Sequence, residues 1–88
     1  MAYTIEFTSS AERAFRRLSR QVQARLAPAI DALATAPRSG DVKKLAGDGD
    51  LYRKRVGSYR IIYRIEDRRL IVLVVDVGDR RDIYRRLR

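Results

Sequence analysis

The chain has 88 residues, 45% of them apolar, and a formal net charge of +9, with no cysteine and no histidine. That length holds one small domain with one core, and the lack of cysteine excludes disulfides, thiolate nucleophiles and cysteine-held metals. No apolar run reaches membrane-spanning length and no basic-then-apolar signal opens the chain, so a soluble cytoplasmic protein is the expectation.

Along the chain, Tyr3, Ile5 and Phe7 alternate with Thr4, Glu6 and Thr8, which predicts a half-buried strand. Ser9 followed by Glu12 has capping-box spacing for a helix starting there, with Ala11, Ala14, Phe15 and Leu18 on one stripe. Ser19 caps a second helix, whose stripe is Val22, Leu26, Ile30 and Leu33. Together they make a helical hairpin over about residues 10–36. Pro28 lies inside the second helix, removes a backbone hydrogen bond there, and predicts a kink or a loosened turn. Pro37 ends the helical region, and residues 37–50, with three glycines and three aspartates, read as an irregular loop.

Strands are predicted at about 51–56, 59–66 and 69–77. Gly57-Ser58 is a two-residue turn of the Gly-X kind, which sets Val56 opposite Tyr59, Lys54 opposite Ile61 and Arg53 opposite Ile62. Because side chains alternate along a strand, Arg53, Arg55 and Arg60 emerge on one face. Like charges opposite one another are destabilising, so such a cluster points to a bound anion. If Asp67-Arg68 is the next turn, Ile65 faces Leu70, Tyr63 faces Val72 and Ile61 faces Val74, giving one apolar face for the helices. The other face is mixed: Arg53, Arg55, Arg60, Ile62, Arg64, Ile71, Leu73 and Val75. Lys54 falls on the helix-packed side, where its stem covers the core edge, unless a bulge in its strand re-aims it. Tyr52, Tyr59 and Tyr63 read as sheet packing. Asp82 caps a last helical turn ending near Arg88. The order β-α-α-β-β-β over residues 1–88 predicts a single α+β domain, a helical hairpin on one face of a mainly antiparallel sheet.

Charge is uneven: residues 1–50 carry a net +2 and residues 51–88 a net +7. A basic C-terminal half points to a polyanion, most often nucleic acid, with a solvated basic surface as the plainer alternative. Asp76, Asp79 and Asp82 have a three-residue spacing that reads as an interstrand ion pair, a loop acid and a helix cap rather than a metal site.

The segments Lys44-Leu-Ala-Gly47, Tyr52-Arg-Lys-Arg-Val-Gly-Ser-Tyr-Arg-Ile-Ile-Tyr63 and Val77-Gly-Asp-Arg-Arg-Asp-Ile-Tyr84, in this order and spacing, resemble the RelE/ParE superfamily of bacterial toxins, its RelE branch in particular. The resemblance covers nearly the whole chain. It implies a RelE-like toxin of a type II toxin–antitoxin system: a cytoplasmic endoribonuclease that cuts mRNA in the ribosomal A site and is restrained by a cognate, RelB-like antitoxin. Carried over by position, the implied catalytic residues are Arg53, Arg55, Arg60, Arg80 and Tyr84. Lysines often stand where this chain has Arg53 and Arg55, and Asp79 departs from the lysine or histidine common before the arginine. Lys43, Lys44 and Arg81 either contact RNA or are solvated. An acidic amphipathic antitoxin segment is expected over Ile62, Leu73 and Val75.

Cleavage without histidine excludes a two-histidine mechanism. Arginine is a poor base but a permanent, bidentate grip on phosphate. The expected roles are Arg60 and Arg80 clamping the scissile phosphate, Arg53 and Arg55 binding neighbouring phosphates or lowering the pKa of a reacting hydroxyl, and Tyr84 stacking or transferring a proton, with no metal and no cofactor. Two other readings stand beside this one: a ParE-like toxin that inhibits DNA gyrase, and a non-catalytic RNA- or ribosome-binding module.

Overall fold

The computed structural model describes residues 2–38, 40, 42–45 and 50–79. Its elements are β1 (Thr4–Phe7), α1 (Ser9–Arg17), α2 (Arg20–Ala32), β2 (Val42–Lys44), β3 (Leu51–Val56), β4 (Tyr59–Glu66) and β5 (Ile71–Asp79). The five strands make one sheet in the order β1-β5-β4-β3-β2, antiparallel except where β1 runs parallel to β5. The predicted α+β architecture is therefore the observed one, with one strand more than the sequence suggests. The predicted Asp82-capped turn lies outside the described residues.

The first helix starts one residue earlier than its capping box implies. Thr8, not Ser9, is the cap, its hydroxyl oxygen accepting from the Ala11 amide at 3.1 Å. Glu12 is then free to pair with Arg16 one turn on, at 3.2 Å. Ser19 caps α2 as predicted, through the Val22 amide at 3.2 Å. Helix α2 continues through Pro28, which is exposed; the element is not broken there. Leu26, Ile30 and Leu33 are buried against Ile61, Tyr63, Ile65, Val72, Val74 and Val77 of the sheet.

The hairpin at Gly57-Ser58 pairs as predicted, Val56 to Tyr59 through Leu51 to Arg64. Gly57 sits at φ +60, the left-handed region that glycine enters without steric cost. The second hairpin differs. Its loop has four residues, Asp67 to Leu70, closed by the pair Glu66–Ile71. A two-residue turn at Asp67-Arg68 calls for positive φ at both central residues or for glycine; the longer loop needs it at Leu70 alone, at φ +52. The pairing slips accordingly, so that Ile65 faces Val72 and Tyr63 faces Val74, while Leu70 leaves the apolar face.

A β-bulge then follows. Tyr63 pairs with Val74 but Ile62 pairs with Asp76, leaving Val75 as the extra residue. Under plain alternation from Val74, Asp76 would enter the core and Val77 would leave it. The bulge reverses both: Val77 joins the core opposite Ile61, and Asp76 moves to the other face, its carboxylate accepting from the Val77 amide at 2.8 Å. Thr8 anchors α1 to this point, its amide donating to the Val74 carbonyl at 2.9 Å.

Residues 37–50, predicted as loop, contain β2, which adds antiparallel to β3. Three residues among glycines and aspartates give too short an alternation for the pattern to register.

Candidate nucleic-acid interface

On the face away from the helices, strand register arranges side chains in three rows. Arg55 lies beside Arg60 and Gly78; Lys43 beside Arg53, Ile62 and Asp76; Leu51 beside Arg64 and Leu73. Arg53, Arg55 and Arg60 thus share a face, as the alternation predicts. Lys43 joins them only because β2 exists. Lys44 has the opposite parity and lies across from Tyr52, so the two neighbouring lysines part to different faces.

Lys43, Arg53 and Arg55 line one pocket of about 310 Å³ together with Val42. No carboxylate is among these lining residues. The Nε of Arg53 is shielded from solvent and has no hydrogen-bond partner among the described residues. A buried N–H without an acceptor carries a desolvation cost, and an anion in the pocket would relieve it. Cross-strand neighbours of like sign, otherwise unfavourable, become favourable in the same way.

Arg60 departs from its expected posture. It is only 4% exposed. It lies on the middle strand of the sheet, between Arg55 and Gly78 in its cross-strand row. Ile62 is also closed, at 0% exposure, forming a second small cluster with Leu51 against which Leu45 and Val75 pack. Of the three residues expected to meet an antitoxin, Leu73 and Val75 keep accessible surface and Ile62 has none. Arg80, Arg81 and Tyr84 lie outside the described residues.

Lys54 pairs with Ile61 and Val42 on the helix-packed side, half-buried, and the one bulge in these strands is in β5 rather than its own. Asp76 and Asp79 fall on opposite faces, opposite Ile62 and Tyr59 respectively. Tyr52 and Tyr63 stack at 5.9 Å between ring centroids on the core side, as packing residues.

The opposite edge of the helix layer carries a clasp with no clear sequence signal. Arg38 binds Asp67 through two hydrogen bonds, Nη1 to Oδ1 at 3.1 Å and Nη2 to Oδ2 at 2.9 Å, and its guanidinium sits 5.6 Å from the centroid of the Tyr52 ring. Tyr3 donates its hydroxyl to Asp67 at 2.6 Å, and Tyr63 donates to the Pro37 carbonyl at 2.6 Å. The Arg38 hydrogen bonds, with that of Tyr3, hold the Asp67 carboxyl below the usual carboxylate range.

Comparison with known proteins agrees with this frame. A family model described as the ParE toxin of the type II toxin–antitoxin system parDE matches residues 5–84. The chain belongs to this toxin family. Toxin RelG of Mycobacterium tuberculosis is 37% identical over 98% of this chain and 100% of its own length. The mRNA interferase toxin RelE of Escherichia coli is 31% identical over 96% of this toxin and 92% of its own length. The intact E. coli RelBE toxin–antitoxin complex contains a chain that superposes with a TM-score of 0.79 at 30% identity, covering 89% of this toxin and 96% of that chain. The RelE-like α+β fold is thus shared with that chain.

Proposed function

We propose that this toxin is a metal-independent endoribonuclease that cleaves mRNA in the ribosomal A site and is restrained by a RelB-like antitoxin. The observation that carries the reading is the pocket of Lys43, Arg53 and Arg55, with no carboxylate among its described lining residues and a buried Arg53 Nε that has no acceptor among the described residues. The name of its E. coli relative, an mRNA interferase, identifies RNA as the polyanion in that protein.

Transesterification fits these groups. The 2′-oxygen forms a bond to phosphorus as the bond to the 5′-oxygen breaks, leaving a 2′,3′-cyclic phosphate and a 5′-hydroxyl. The 2′-proton passes to a base, and a proton is delivered to the leaving oxygen. Arg53, Arg55 and Lys43 hold phosphates bidentately or as point charges. Arg60, fixed under this surface, supplies a preorganised positive charge to the dianionic transition state. Arg80 and Tyr84, placed by resemblance, complete the clamp and take part in proton transfer; a phenol of pKa about 10 needs nearby cations to act as a base. The ribosome supplies in-line alignment of the 2′-hydroxyl.

The test is cleavage on programmed ribosomes. Loss of one charged donor to a developing oxyanion is typically worth about 10²–10³ in rate, so Arg60→Ala and Arg80→Ala are each expected to slow cleavage to that extent. Unchanged cleavage by both folded variants sinks the assignment. A phosphorothioate at the scissile phosphate is expected to react equally slowly in Mg²⁺ and Mn²⁺; rescue by Mn²⁺ would reveal a metal at that oxygen. Since the matching family model bears the ParE name, gyrase supercoiling is measured in parallel. Lost supercoiling with intact mRNA identifies a gyrase inhibitor, and neither effect identifies a binding module.

A further inference from the structure

We propose that Asp67 and Arg38 are positioning residues for the basic pocket, acting through the strand they brace from the other side of the sheet. This rests on the reading of that pocket as an RNA-phosphate site. The clasp joins four segments that are distant in sequence: Tyr3 just before β1, the exit from α2 at Pro37-Arg38, β3 at Tyr52, and the β4–β5 turn at Asp67. Arg38 reaches Tyr52 twice, over the ring face and by Nε donating to the hydroxyl at 3.4 Å. Tyr52 in turn stacks on Tyr63, which is fully buried.

Tyr52 is the residue before Arg53, and alternation sends the two side chains to opposite faces. Tyr52 also lies across from Lys44, as Arg53 does from Lys43. Pinning Tyr52 therefore sets both the height of Arg53 in the pocket and the docking of β2. Among the described residues that strand has three residues and pairs with β3 alone, so β3 is what holds Lys43 in register. Arg38 also restrains the chain four positions before Val42. The Asp67 carboxylate organises this arrangement: it takes both Arg38 nitrogens and the Tyr3 hydroxyl.

Asp67→Asn separates positioning from bulk electrostatics because the two act with opposite signs. Removing a carboxylate from a chain of net charge +9 strengthens polyanion binding if only the overall field matters. If Asp67 positions Lys43 and Arg53, the same change weakens it. The measurement is affinity for a 2′-O-methyl oligoribonucleotide, which cannot be cleaved, as a function of salt. Each lost phosphate contact lowers the log–log salt slope by about 0.7 for a single strand. Lys43→Ala is expected to lower the slope by that amount and affinity several-fold. Asp67→Asn should do the same, and the double variant should be no worse than either single one. Asp67→Glu, which retains the carboxylate, is expected to restore much of the loss, and circular dichroism checks that every variant is folded.

Unchanged or tighter binding by Asp67→Asn, with Lys43→Ala impaired, overturns the positioning role and leaves the pocket standing. Additive losses in the double variant overturn it as well. An unchanged slope in Lys43→Ala removes Lys43 from the RNA site and the proposal with it.

Discussion

Asp67 is exposed and yet restrained: hydrogen bonds from Arg38 and Tyr3 depress its pKa against the opposing effect of desolvation. A carboxyl lowered in the folded state contributes stability that is present above the unfolded value, near pH 4, and lost as pH falls through the lowered one. The melting temperature of the wild type is therefore expected to fall more steeply below about pH 4 than that of Asp67→Asn; parallel pH profiles would contradict the ion pair's role. Tyr63 is the opposite kind of residue, buried throughout, with burial pushing its phenol well above the ordinary range. Its hydroxyl stays neutral and serves the Pro37 carbonyl. Removing it as Tyr63→Phe strands that acceptor and should cost about 1–2 kcal/mol in urea unfolding.

At the level of elements, the cap of α1 gives a clean comparison. Thr8→Ala is expected to cost about 1 kcal/mol, and Ser9→Ala, inside the first turn, only a few tenths; equal costs in chemical denaturation would return the cap to Ser9. Gly57→Ala meets both a positive φ and the Arg25 guanidinium, 2.9 Å from the new methyl group. It should destabilise by about 1 kcal/mol, since Arg25 can swing away but the backbone cannot. What the sequence made legible follows the same division. The 51–63 hairpin was readable because Gly57-Ser58 fixes its register locally, and with it the common face of Arg53, Arg55 and Arg60. The second hairpin was not, because a four-residue loop without glycine places its one strained residue, Leu70, where no pattern marks it. Lys43 depended on β2, the strand that flanks the hairpin beside β3, and the burial of Arg60 on its place in the middle strand of the sheet. The Arg38–Asp67 clasp spans 29 residues of sequence and has no periodicity to betray it.

For the whole molecule, the two faces of the sheet divide the work. One is closed by helices and supplies stability; the other holds cations in one half and, around Leu73 and Val75, half-buried apolar surface in the other. An acidic amphipathic antitoxin segment fits that combination, with carboxylates toward the arginines and apolar side chains on Leu73 and Val75. Leu73→Asp is expected to weaken a RelB-like partner by about tenfold or more, as burial of an unpaired charge costs over 1.4 kcal/mol, while leaving RNA affinity in vitro within about twofold. Equal losses of both would mean that antitoxin and RNA use the same patch.

The bulge at Val75 gives β5 two phases, even-numbered residues facing the core before it and odd-numbered residues after it. Deleting Val75 would join Val74 directly to Asp76, and plain alternation would then carry Asp76 outward and Val77 inward, the faces they already occupy. Val75 is thus the one position in this strand where the chain can lose a residue and keep both faces, whereas losing a residue between Ile71 and Val74 would turn over the part of the strand before it.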